Sequence, residues 1–208
     1  MDRGPYGARR PGRAGADLPP AGGAEGAVVR LHGGAFVRGN LDTEHPWAAR
    51  IAGGGHSAGA GLAAAPALRA CDEQGPPVRF QLLDQPELYD RPDTWPRQNF
   101  TDTPWINRDT IAASWQHYLG PAPATPYAAP ARAADLSGLP PAYIATAEFC
   151  PNRDEGLAYG LRLMRAHVPV ELHQWPGTFH GPQALLSACV SQRQTAELGA
   201  TLRRGLAG

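Results

Sequence analysis

Short apolar runs bounded by Gly, Pro and polar clusters alternate along this chain with longer segments of helical spacing. The runs of strand length are Gly26 to Leu31, Pro77 to Leu83, Pro141 to Ala147 and Val168 to Gln174, with Arg50-Ile51-Ala52 a shorter one. Between them lie segments with a period of 3.6 residues. Ala58 to Ala70 is rich in Ala and Leu. Asn107 to Leu119 sets Ile111, Trp115 and Tyr118 on one face before Gly120-Pro121 ends it. Asp154 to Ala166 is amphipathic, Pro182 to Leu206 reads as a final helix, and Asp42 or Thr43 suits the cap of a short helix over His45 to Ala49. Asp84 to Thr103, dense in Pro, Asp and Arg, reads as loop. Strands that alternate with helices predict an α/β fold built on a mainly parallel sheet of about five strands with covered faces.

Composition narrows this picture. Met1 to Glu25 has almost no large apolar side chain, so it cannot repay its ordering entropy, and a disordered tail is expected over 1–25. Residues 26–208 then form one domain with room for a real core. A formal net charge of zero gives no electrostatic footprint for nucleic acid or an anionic membrane. All 19 Lys+Arg residues are Arg. The absence of lysine excludes a Walker A loop, a Schiff-base lysine and a Ser-Lys dyad. Three widely spaced cysteines without a C-x-x-C pair read as free thiols in a reducing compartment. No apolar run resembles a signal peptide or a membrane span, so a cytoplasmic protein is expected.

The candidate chemistry centres on Gly55-His56-Ser57-Ala58-Gly59, which fits G-x-S-x-G. That pattern places a serine on a sharp strand-to-helix turn with its hydroxyl presented outward. Such a nucleophile needs a base, an orienting acid and donors for the oxyanion. His180 lies in Gly177-Thr178-Phe179-His180-Gly181, between the last strand and the last helix. The turn His32-Gly33-Gly34-Ala35 follows a strand upstream of the serine, where an oxyanion loop belongs. Gly53-x-Gly55-x-x-Ala58 also fits a loose dinucleotide fingerprint, with Asp72 downstream, but Asp72 follows a helix where a Rossmann unit needs a strand end. His45, His56, His117 and His167 lack metal-ligand spacing, and no H-E-x-x-H is present, so neither metal nor cofactor is expected.

These pieces, with Ala147 to Gly156 and Pro176 to Gly181, closely resemble the hormone-sensitive-lipase-like esterases, the fold-3 branch of the α/β-hydrolases. The resemblance runs from about Ala27 to the end. It implies Ser57 as nucleophile, His180 as general base, and the N–H groups of Gly33, Gly34 and Ala58 as oxyanion hole. It also implies hydrolysis of a small-molecule carboxylic ester, of short or medium acyl length, through an acyl-enzyme.

The chain departs from the family pattern at three places. Cys150 stands where the family has its catalytic aspartate, and a neutral thiol is a weak acceptor. Asp154 is then the nearest stand-in, with Glu148, although Asp154 also suits the first turn of the following helix. The family places a further strand-helix unit between the His32 turn and the serine. Its absence leaves Ala27 to Leu31 as an edge strand, open to association and a homodimer. Pro66 interrupts the helix after Ser57 at a cost of about 3 kcal/mol if interior. The resemblance therefore implies an impaired serine esterase. The alternative is a catalytically silent hydrolase-like protein that binds a small molecule or partner.

Overall fold

The computed structural model describes residues 30, 31, 34, 36 and 54–207. The expected tail at 1–25, the helix at 45–49, the run at 50–52, His32 and Gly33 lie outside the described residues. The elements are β1 (Arg30–Leu31), β2 (Gly54–His56), α1 (Ala58–Asp72), β3 (Gln81–Asp84), α2 (Trp95–Asn99) and α3 (Arg108–Leu119). They continue with β4 (Ala142–Phe149), α4 (Arg153–Arg165), β5 (Val170–Phe179) and α5 (Cys189–Ala207).

The five strands form one parallel sheet in the order β1-β2-β3-β4-β5. The sheet is contiguous across the position of the missing unit, with Arg30 paired to Gly54 and Gly55 to Leu83. Among the described residues β1 stands at the edge. Alternation along the strands separates two apolar layers. Leu83, Ala142 and Ile144 face Ala60, Ala64 and Leu68 of α1 and Tyr159 and Leu163 of α4. Leu82, Tyr143 and Ala145 face Leu198 and Leu202 of α5. Consecutive parallel strands joined by right-handed crossovers carry their connecting helices on one side, which leaves α5, after the last strand, to cover the other.

A third cluster packs Ile111 and Trp115 of α3 against Ala129, with Tyr118 half-buried beside them. Phe36 stacks on Tyr118, ring centroids 4.1 Å apart, and so joins the glycine turn to α3. Asn107 caps α3 by accepting from the N–H groups of Asp109 and Thr110.

Several boundaries differ from expectation. The described part of the strand before the serine is Gly54–His56, where sheet pairing on both sides outweighs the low strand propensity of glycine. The loop after β3 contains α2, opened by Pro96 at a first-turn position where a missing N–H is harmless. β5 extends through Pro176-Gly177 to Phe179, accommodated by a register shift between Ala147 and Phe149. The final helix begins at Cys189, after a separate 3-10 turn over Pro182–Ala184. Helix α1 runs unbroken through Pro66, which sits on its exposed side, where the carbonyl left without a donor is open to solvent.

Candidate active site

Ser57 joins β2 to α1 with φ 57° and ψ −129°, a left-handed conformation that L-residues adopt only under constraint. The constraint comes from both sides. The Ser57 N–H donates to the Asp84 carbonyl at 2.9 Å, tying the turn to β3. Its carbonyl accepts from Ala60, Gly61 and Glu87 N–H groups. Gly55 is required by close approach: a Cβ there would lie 2.2 Å from the Gly59 carbonyl oxygen. Gly61 is required likewise, its Cβ direction blocked by the Glu87 carbonyl. The spacing of G-x-S-x-G thus follows from packing the first turn of α1 directly onto the strand.

His180 follows β5, and Gly181 turns the chain beside it with φ 72°. The structure brings Ser57 and His180 together: Nε2 lies 2.9 Å from the serine Oγ, in a buried contact. Nδ1 lies 3.0 Å from Cys150 Sγ. Burial, and then the charge of His56, hold the His180 imidazole well below its ordinary pKa, so it is neutral and able to take a proton. Ala58 is buried directly after the serine, and its N–H belongs to the unpaired first turn of α1. Gly34 adopts φ 132°, a conformation suited to glycine. Gly33 is outside the described residues.

Asp154 does not hold His180. Both ring nitrogens face other partners, and Asp154 Oδ1 pairs with Arg153 Nε at 2.7 Å in the first turn of α4. Glu148 is committed elsewhere too, accepting the Gly177 N–H at 2.6 Å. Cys150 occupies the acid position because β4 ends there and the Asn152 N–H folds back onto Sγ at 3.4 Å. Burial pushes the Cys150 thiol upward in pKa, which keeps it neutral. A neutral thiol donates better than it accepts. When the S–H donates to Nδ1 the imidazole proton sits on Nε2, and when Nδ1–H donates to Sγ, Nε2 is free to accept from the serine.

Sequence reasoning missed the surroundings of this pair. His56, at the variable position before the serine, meets Asp84 Oδ2 through Nδ1 at 3.0 Å. Its ring lies 5.1 Å from that of His180. Gln183 donates to the same Oδ2, and Gln85 accepts the Gly181 N–H. The available signal was positional: His56 and Asp84 end neighbouring parallel strands and stand in register. Trp105, 58% exposed, crosses Phe179 edge to face at 5.4 Å and lies against Gly181, at the side of the site.

Among the described residues, one group has metal-ligand geometry: Glu171, His173 and Glu197, whose ligand atoms lie within 4.8 Å of one another. Arg204 already bridges both carboxylates, and Glu171 is near the start of β5, remote along the strand from His180. No helix among the described residues is long and apolar enough to cross a membrane.

A family model of the alpha/beta hydrolase fold matches residues 48–184. Among curated relatives, Esterase LipI of Mycobacterium tuberculosis is 37% identical over 74% of this chain and 64% of its own length. Carboxylesterase NlhH of the same species is 40% identical over 64% of this chain and 43% of its own. The chain thus spans less than two thirds of the length of these relatives. Among solved structures, a bacterial heroin esterase superposes with a TM-score of 0.80 at 38% identity, over 85% of this chain and 74% of that one. Esterase LipW from Mycobacterium marinum does so with 0.82 at 34% identity, over 86% and 72%. The chain belongs to the α/β-hydrolase fold family, in the branch of the hormone-sensitive-lipase-like esterases.

Proposed function

We propose that this protein is a carboxylesterase-type serine hydrolase acting on short or medium acyl esters, slowed by the thiol at its acid position. The observation that carries the reading is the 2.9 Å contact from His180 Nε2 to the Oγ of a serine held at φ 57°. In the reaction, the Ser57 proton passes to His180 Nε2 as Oγ bonds to the ester carbonyl carbon. The oxyanion is received by N–H groups of Ala58 and of the glycine turn at Gly33 and Gly34. The carbon–alkoxy bond then breaks, and His180 returns the proton to the departing alcohol. Water, deprotonated by the same imidazole, releases the acid and regenerates the serine. Cofactor and metal have no part in this sequence.

A second reading is favoured by one specific contact, Cys150 Sγ on Nδ1 of His180. If the thiol locks the wrong tautomer, the protein binds a small molecule or partner without turnover. Fluorophosphonate labelling and p-nitrophenyl ester hydrolysis by the wild type, Ser57→Ala and Cys150→Asp separate the two. The esterase reading expects weak labelling of the wild type, strong labelling of Cys150→Asp and none after Ser57→Ala. Labelling absent from a folded Cys150→Asp protein favours the silent binder.

A further inference from the structure

In a serine-histidine-acid array the carboxylate sets the orientation of the imidazole and offsets the charge it gains. With Cys150 in that place, orientation must come from elsewhere. The turn that carries His180 is fastened twice to the end of β3. Gly181 N–H donates to Gln85 Oε1 at 2.8 Å, and Gln183 Nε2 donates to Asp84 Oδ2 at 2.8 Å, both buried. The same carboxylate oxygen meets His56 Nδ1 at 3.0 Å, and the His56 ring is tilted 40° against His180.

Two details mark this cluster as more than packing. Asp84 is 2% exposed, and a buried carboxylate is retained only where donors converge on it. Here the donors come from opposite sides, one beside the nucleophile and one from the turn of the base. Gln85 adopts φ 50°, a left-handed conformation that a glutamine holds at a cost of about 1 kcal/mol or more. That strain aims its amide at Gly181.

We propose that Asp84 and Gln85 are positioning residues: they hold the His180 turn and, through His56, the face of its imidazole, in the orientation that a triad carboxylate would otherwise set. The inference rests on the esterase reading of Ser57 and His180. Neither residue touches the reacting atoms.

A double-mutant cycle with the acid position tests this. Asp84→Asn keeps the shape and removes the charge that strengthens both bonds, so kcat on a p-nitrophenyl ester should fall about 10-fold with KM held within about 2-fold. In the Cys150→Asp background, where a carboxylate holds the imidazole directly, the same change should lower kcat less than about 3-fold. Equal losses in both backgrounds would overturn the proposal, because a merely structural role is additive. Gln183→Leu severs the clamp without touching His56 and should show the same pattern. It carries the test if thermal unfolding shows Asp84→Asn to be unfolded. Nitrogen-15 relaxation of the His180 ring should show a more mobile imidazole in each clamp variant, and unchanged ring mobility in both also overturns the proposal. If Cys150→Asp takes no fluorophosphonate, the esterase reading fails and this one with it. If it is labelled and the losses are additive, only this one fails.

Discussion

Replacing Cys150 by aspartate exchanges a neutral thiol for a carboxylate at a position 3.0 Å from His180 Nδ1. The backbone N–H of Asn152, now 3.4 Å from Sγ, is placed to donate to one of the new oxygens. As the imidazole takes the serine proton, a unit positive charge forms about 4 Å from a negative one, worth about 4 kcal/mol at an effective dielectric near 20. At about 1.4 kcal/mol per tenfold, that is roughly a 10³-fold ceiling on the gain in kcat. The carboxylate must be buried where Cys150 is 1% exposed, and that desolvation falls on folding stability rather than on the barrier. The expected outcome is a rise in kcat of about 10²- to 10³-fold with a loss of about 1–3 kcal/mol in stability. Steady-state hydrolysis of p-nitrophenyl butyrate across pH, beside urea unfolding, measures both. The acid limb of kcat/KM should move to higher pH, because His180 is held below its ordinary value in the wild type and gains an anionic partner in the variant. The linkage has the matching sign. Stability from a buried neutral His180 is complete above about pH 6.5 and is lost as pH falls toward its depressed folded value; the aspartate reduces that loss. A folded Cys150→Asp protein with kcat within about 3-fold of wild type would refute the argument that the acid position limits turnover.

Gly55→Ala places a Cβ 2.2 Å from the Gly59 carbonyl oxygen, with only backbone to yield, and should destabilise by about 3 kcal/mol in urea titration. A loss under about 1 kcal/mol would mean that the elbow is looser than described. Burial raises Glu87 to about 7 from 4.5. Its contribution is therefore full below about pH 4.5 and lost as pH rises through about 7, a swing of about 3 kcal/mol. The wild type minus Glu87→Gln difference in unfolding free energy should fall by roughly that amount from pH 4.5 to 8. A flat difference counts against the burial argument. Arg97 and Glu155 form a buried pair at 3.2 Å, and Glu155 also accepts N–H groups of Leu88 and Tyr89. Burial raises Glu155 to about 8 from 4.5, so at neutral pH Arg97→Met leaves a protonated Glu155 and a Tyr89 carbonyl short of a donor, and should destabilise by about 1–3 kcal/mol, read by denaturant midpoint.

The chain's rhythm of apolar runs made β4, α3 and α4 legible to within a residue or two at most ends, because each buries a face of its own periodicity. It gave no sign that β2 runs on through Gly54 to His56. Gly54-Gly55-His56 has no strand signature, and its pairing partners are distant in sequence. The start of α5 was misplaced because the residues after His180 spend their hydrogen bonds on the site, Gln183 on Asp84, before the helix begins. Ser57, His180 and Cys150 were named from local motifs. His56, Asp84, Gln85 and Gln183 were invisible to that approach, since each is ordinary in its own neighbourhood and meaningful only across the parallel register.

The sheet is insulated unequally. Helices α1 and α4 share one face, while α5 lies on the other. Ser191 of α5 also donates to the Pro182 carbonyl, inside the turn that carries His180. Detaching α5 would therefore wet the Leu82-Tyr143-Ala145 face and slacken the base in a single event. Amide protons of α5 should exchange with solvent ahead of those in α1, and activity should fade on warming in step with that exchange, before the sheet itself melts.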